Sequence, residues 1–261
     1  MFEAIKFFSG EPGIPLEAAE NPPIPALNKE NDMPTNPYGS HDAPIVTVDV
    51  VVFTLEDGNL KALVQPRGRD PYKGVVGLVG GWVHTNEDED DDAVVQRVLR
   101  SKAGLEGIYV EQVRTVGSAT RHPEGWSLSV VYMAILPIEQ LRPAFERGCH
   151  LVPADDPGEL AFDHNRLLRY AVDRLRAKGA YSTIPMEFLP DEFSMRDLLG
   201  TYEAVLGEKL DEGSFRRKIM ELKLIESTGR KEKPREGLMG KRAAVMYRAT
   251  VQKTFDRSFG R

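Results

Sequence analysis

The chain has 261 residues, 41% of them hydrophobic and 28% charged, which leaves room for two globular domains of ordinary water-soluble composition. No apolar run approaches the ~20 residues of a bilayer span. The opening MFEAIKFFSG lacks the basic start, apolar core and cleavage site of a secretory signal, so no membrane partner and a cytoplasmic setting are expected. The single cysteine, Cys149, excludes an internal disulfide framework and fits a reducing compartment; it is given no role.

The net charge of −6 argues by itself against a nucleic-acid partner, but it averages two unlike parts. Residues 209–261 carry 15 Lys+Arg against 7 Asp+Glu, while the rest carries 19 against 33. An acidic body with a basic C-terminal module is the footprint of a DNA reader attached to another domain.

In chain order, residues 1–44 hold eight prolines and read as an extended N-terminal arm. Val46 to Phe53 is a continuous β-branched run, the mark of a buried strand. Asp57-Gly58-Asn59 turns it into a hairpin with Leu60–Val64. After a loop with Arg67 and Arg69, the Gly-rich stretch Gly74–Trp82 leads to the acidic run Glu87–Asp92. A helix follows, with Val94, Val95, Val98 and Leu99 on one face and Gly104 at its C-cap. Strands are expected at Tyr109–Thr115 and Ser127–Leu136. A helix is expected over Phe162–Lys178, with Leu167, Leu168, Ala171 and Leu175 facing inward and Asp163 as its N-cap.

Pro185 and Pro190 mark a connector. Ser194–Leu206 then reads as a helix, with Ser194 and Asp197 placed for a capping box. A turn over Gly207–Glu212 precedes a second helix, Ser214–Leu224, whose first turn carries Arg216, Arg217 and Lys218. The loop STGRKEKPREGLMGKR supplies Arg230, Lys231, Lys233, Arg235, Lys241 and Arg242, and AAVMYRAT reads as a strand. This is helix–turn–helix–wing. The start of the second helix (Ser214, Phe215, Arg216, Arg217, Lys218) and the six basic wing residues are the candidate DNA contacts. A basic protein-docking module is the competing reading.

The segment GGWVHTNEDEDDDAVVQRVLRSKAGL, Gly80–Leu105, resembles the Nudix box, G-x5-E-x7-R-E-U-x-E-E-x-G-U. Gly81, Glu87, Arg97, Leu99, Gly104 and Leu105 fall in order, although Glu87 and Arg97 stand two residues further apart than the pattern. In that motif, glutamates on one helix face hold a divalent cation against a diphosphate. Here the glutamate after the arginine is Val98, and the paired metal-binding glutamates map onto Ser101 and Lys102. A lysine repels a cation, so the reading has no catalytic residue, no metal and no cofactor. The acidic run is read as a solvated first turn complementing the helix dipole.

A Nudix cleft without its metal can still bind a nucleotide sugar. Arg67, Arg69 and Arg121 are candidate phosphate ligands, beside Gly80 and Gly81. Trp126 is placed either to stack on a base or ribose or to plug the sheet edge.

Residues 45–250 as a whole resemble the Nudix-related transcriptional regulators of NAD metabolism. The LAFDH segment (Leu160–His164), KGAYS (Lys178–Ser182) and SFRRKI (Ser214–Ile219) carry the resemblance beside the lengthened box and GWSLSVVYMAIL. It implies an α+β protein: a Nudix α/β/α sandwich with a mixed sheet (45–180), a winged helix-turn-helix domain (181–250) and a short tail (251–261). It further implies a homodimer on a palindromic double-stranded DNA operator, commonly a repressor released by ADP-ribose or a related nucleotide; some relatives respond to sugars. LVGG stands where LPGG is usual, and His84 occupies an acidic position of the family, so the effector stays open. Asp163 and His164 are the candidate coupling residues between the two domains. An active Nudix hydrolase is the alternative.

Overall fold

The computed structural model describes residues 43–231 and 243–250. Almost all of the proline-rich arm, the C-terminal tail, and the wing residues Lys233, Arg235, Lys241 and Arg242 therefore lie outside the described residues.

The N-terminal half of the described residues is built on one strand. β1 (Ile45–Glu56) pairs antiparallel with β2 (Asn59–Pro66), and along its other edge parallel with β6 (Gly125–Ile135) from Ile45↔Ser127 to Phe53↔Ile135. The short strands β3 (Val76–Gly77) and β4 (Val79–Trp82) pair with β2 and β1 respectively. β5 (Glu111–His122) forms a hairpin with β6, and β7 (His150–Pro153) pairs with β2. The result is a seven-stranded mixed sheet.

Because β1 is covered on both faces, its side chains are apolar in both phases of the alternation. Val48, Val50 and Val52 pack with Val94, Val95, Val98 and Leu99, which belong to helix α1 (Asp91–Val98) and the turn after it. Val51 and Phe53 pack on the other side with Leu167, Leu168, Ala171 and Leu175 of α3 (His164–Tyr181). This is the expected α/β/α sandwich. The short helix α2 (Arg142–Glu146), β7 and a 3-10 turn at Ile184–Phe188 are further elements that periodicity does not reveal.

In the C-terminal third, α4 (Met195–Leu206) starts on the expected capping box: the Ser194 hydroxyl accepts from Asp197 N, and the Asp197 carboxylate accepts from Ser194 N. α5 (Glu212–Glu221) follows. The wing strands β9 (Ile225–Lys231) and β10 (Val245–Ala249) then form a three-stranded sheet with the two-residue β8 (Phe193–Ser194). Tyr202, Phe215, Ile219 and Leu224 fill its core.

The two halves share a seam. Val205 of α4 and Phe188 belong to the same hydrophobic cluster as α3. Gly179 allows the close approach, since a Cβ there would stand 3.0 Å from Val205 Cγ1 and 3.3 Å from Pro185 Cγ. Arg176 adds polar contacts, its Nη2 donating to Asp155 at 2.8 Å and its Nε to the Val205 carbonyl at 3.4 Å. Replacing Gly179 by Val overpacks this seam and should lower the unfolding free energy by about 1–3 kcal/mol, read from the denaturation midpoint at unchanged m.

Candidate functional site

Asp49 is the one carboxylate in the apolar centre of β1 and is 5% exposed. A charge so placed needs partners, and three elements supply them. The Ser129 hydroxyl on β6 donates to Oδ2 at 2.7 Å, Arg121 Nη2 at the end of β5 lies 3.5 Å from Oδ2, and His164 Nε2 on α3 lies 3.5 Å from Oδ1. The register leaves room for the carboxylate because its partner across β1–β4 is Gly80, where a Cβ would collide with Oδ1.

Arg121 also donates to Asp163 Oδ1 at 3.2 Å and to the Thr47 hydroxyl at 3.4 Å. His164 Nδ1 accepts the Leu78 backbone N–H at 2.9 Å, so the ring's own proton belongs on Nε2, facing Asp49. Burial holds the His164 pKa below the ordinary histidine value, against the pull of Asp49 and Asp163.

Asp163 corrects one expectation. It stands at the N-cap of α3, and its carbonyl accepts from Arg166 N and Leu167 N, yet its side chain caps no helix N–H. Arg121 and Arg166 have taken that carboxylate instead, the latter at 2.8 Å.

Above this floor opens a solvent-open cleft lined among others by the predicted Arg67, Arg69, Gly80, Gly81, Arg121 and His164. Asp163 reaches it through Arg121. Trp126 does not line it: the indole is half exposed and lies against Gly117 across the β5–β6 hairpin, the sheet-edge arrangement. Besides His164, the aromatic rings at the cleft belong to Trp82, His122 and Phe162, none of which is a candidate site residue from the sequence.

Phe162 stacks on His122 with centroids 5.2 Å apart, and the Arg67 guanidinium lies 4.4 Å from its centroid. It does so with a φ of 55°, a left-handed conformation that costs a non-glycine residue about 1–2 kcal/mol. Arg69 lies 5.4 Å from the Trp82 ring centroid.

Lys102 also lines the cleft. Arg67, Arg69 and Lys102 have no carboxylate ion-pair partner among the described residues, whereas Arg121 has two. Partial burial, then Arg69, lower the Arg67 pKa; burial, then Arg69 and Arg67, lower that of Lys102. Three mutually repelling cations thus face one concavity.

The box residues account for themselves otherwise. Val98 is buried against Gly81, and the Ser101 hydroxyl turns back to the Val98 carbonyl at 3.4 Å. Arg97 grips Asp88 with two bonds of 2.6 and 2.7 Å and donates to the Trp82 carbonyl. Asp88 is held down to about 2 chiefly by Arg97, while Glu87, the residue aligned with the box, pairs with His84 at 3.1 Å. Asp90 caps α1, Asp91 and Asp92 fill its first turn, and Tyr132 donates to Asp91 at 2.6 Å. The acidic run is a helix start, as its composition suggests. Leu99–Ala103 continues α1 as a π turn and ends at Gly104. No cluster of three or more His, Cys, Asp or Glu able to hold a metal occurs among the described residues.

In the winged helix, α5 begins two residues earlier than expected, because Asp211 rather than a later residue caps it through Ser214 N at 2.8 Å. Arg216, Arg217 and Lys218 consequently fall in the second turn. Ser214, Arg216 and Arg217 are exposed and Lys218 is half-buried. Phe215 is a correction: it is 3% exposed and meets Tyr202 edge-on at 5.2 Å, so it supports the helix from inside. On the wing, Lys231 is exposed, and Arg230 lies 3.3 Å from Glu192.

A buried neutral histidine has a checkable consequence. With its pKa lower in the folded than in the unfolded chain, His164 contributes stability that is full above the unfolded value of ~6.5 and is lost as the pH falls below it. His164→Gln should flatten the pH dependence of the unfolding free energy between about pH 7 and 5.

Comparison with known proteins supports both halves. Residues 185–249 match the family model of the NrtR DNA-binding winged helix domain. The chain is 32% identical over 225 residues to the ADPR responsive transcriptional repressor NtrR of Acinetobacter baylyi, covering 85% of this chain and 88% of that one. It superposes on Shewanella oneidensis NrtR complexed with a 27mer DNA with a TM-score of 0.72 at 32% identity, covering 82% of this chain and 99% of that one. It is also 26% identical over 127 residues to the ADP-ribose pyrophosphatase of Methanocaldococcus jannaschii, covering 48% of this chain and 72% of that one. With a Nudix sandwich, a winged helix and a relative this similar over nearly its whole length, the chain belongs to the NrtR family of Nudix-related transcriptional regulators.

Proposed function

We propose that this chain is a repressor that binds double-stranded operator DNA through residues 181–250 and lets go when ADP-ribose, or a related nucleotide sugar, occupies the Nudix cleft of residues 45–180. The observation that carries the reading is the trio Arg67, Arg69 and Lys102 in that cleft, without carboxylate ion-pair partners among the described residues. Such a charge excess is relieved by a phosphate-bearing ligand. The name of the Acinetobacter relative, an ADPR responsive repressor, supports the choice of effector, and the DNA complex of the Shewanella relative supports the choice of partner.

The protein acts as a sensor, not as an enzyme. Val98, Ser101 and Lys102 stand where the box needs carboxylates, so no cation is positioned to polarise a diphosphate or generate hydroxide. The regulated genes belong to NAD metabolism, the protein works in the cytoplasm, and it acts as a homodimer on a palindromic operator.

The route from ligand to DNA is α3. Its first residues, Asp163 and His164, hold the cleft floor through Arg121, Asp49 and Leu78. About 27 Å away, the length of an 18-residue helix, its last turns pack on α4. A ligand phosphate that draws Arg121 from Asp163 shifts the start of this strut, and the strut carries the winged helix with it. Paired half-sites ~34 Å apart tolerate little rotation between two such domains.

Three measurements check this. Arg216→Ala with Arg217→Ala should abolish the salt-sensitive shift of the protein's own upstream DNA while leaving the melting temperature in place; no shift with the wild type would overturn the repressor reading. Arg67→Ala with Arg69→Ala should weaken ADP-ribose about 10- to 100-fold in calorimetry and leave operator affinity unchanged. Incubation with Mg²⁺ and ADP-ribose should release no AMP above background, and robust turnover would contradict the sensor reading.

A further inference from the structure

We infer that Lys102 takes the place of the divalent cation of a working Nudix site, so that this cleft seats a diphosphate by fixed side-chain charge and needs no metal. This deepens the proposed function and rests on its assignment of a phosphate-bearing effector.

Four observations bear on it. In register with the box, Lys102 falls on one of the paired glutamates that hold the cation, and the position preceding it is Ser101. Its side chain lines the cleft together with Arg67, Arg69, Gly80 and Gly81. The described residues give it no hydrogen bond from Nζ and no ion pair, although Asp49, Asp70 and Glu124 also line the cleft. The helix carrying it changes from α to π over Leu99–Ala103, a widening that is frequent where a helix serves a site. Leu99 and Ala103 remain in the core through that turn while Lys102 is left open to the cleft.

The chemistry follows from charge. A diphosphate diester carries two negative charges, and in a hydrolase a cation held by carboxylates neutralises them and also activates the attacking water. An ammonium beside two guanidinium groups matches the first task, with charge-assisted hydrogen bonds to the phosphate oxygens. It has no open coordination position and makes no hydroxide, so the ligand is held and left intact. A lysine in solvated isolation would gain nothing from this position; one that Arg67 and Arg69 already crowd gains from an anion between them.

Calorimetry with ADP-ribose on the full-length protein tests it, in buffer with EDTA and in buffer with excess Mg²⁺. Wild type should bind equally in both. Lys102→Met should bind about 10- to 100-fold more weakly in both, with an unchanged melting temperature, since its Nζ has no hydrogen bond or ion pair among the described residues to lose. Lys102→Arg should retain affinity to within a few-fold. Binding by wild type only when Mg²⁺ is present overturns the inference and leaves the effector assignment standing, as does wild-type affinity in Lys102→Met. Absence of binding by wild type in either buffer overturns the effector assignment itself.

Discussion

The buried carboxylate of Asp49 is the constraint around which the sensor domain is arranged. It sits in the middle of a valine-rich strand, and it draws a hydroxyl from β6, a guanidinium from β5 and an imidazole from α3 into one network. Removing one partner of such a group typically costs about 3–5 kcal/mol, because the remaining charge is left desolvated. Gly80 gives it space, Leu78 fixes the histidine tautomer, and Arg121 passes the network on to Asp163 at the head of α3. The floor of the cleft and the start of the helix that leads to the winged domain are therefore one electrostatic unit.

Above that unit the cleft has exchanged one kind of chemistry for another. A Nudix hydrolase gathers carboxylates around a cation; this site brings Arg67, Arg69 and Lys102 to a cleft whose carboxylates are Asp49, Asp70 and Glu124. On the proposed reading, the sandwich is retained while Lys102 replaces a metal-holding carboxylate, so that a nucleoside diphosphate is held and left intact. The acidic residues that remain have structural work: Asp88 holds Arg97, Asp90 caps α1 and Asp91 accepts from Tyr132. Phe162, kept at a left-handed φ between His122 and Arg67, marks the rim of the cleft as a place where backbone strain is tolerated.

Much of this is written in local pattern. The strand at Val46–Phe53, the helix on Val94–Leu99 and the capping box of Ser194 and Asp197 each follow from periodicity or cap chemistry within a few residues. The parts that local pattern does not reveal depend on distant neighbours. Trp82 rather than Trp126 reaches the cleft because the β5–β6 hairpin carries Trp126 away over Gly117. Asp163 looks like a helix cap until Arg121, 42 residues earlier, competes for it. β7 is four residues ending in a proline and exists through its pairing with β2. Asp49 did leave a trace: a lone carboxylate inside VTVDVVVF must be either exposed or multiply bonded, and a strand buried on both faces excludes the first. For α5, the turn residues Gly207–Glu212 place the expected start at Ser214, whereas Asp211 caps the helix two residues earlier and moves the arginines into the second turn.

The central claim is that occupancy of the cleft and grip on DNA are coupled through α3. Coupling of two binding equilibria is reciprocal, so the most direct measurement is the affinity of ADP-ribose for the free protein and for the operator-bound protein, set beside the operator affinity with and without ADP-ribose. The account predicts that both ratios are equal and about tenfold or more, the effector binding more weakly to the DNA complex. Equal effector affinity for the free and the DNA-bound protein would contradict it.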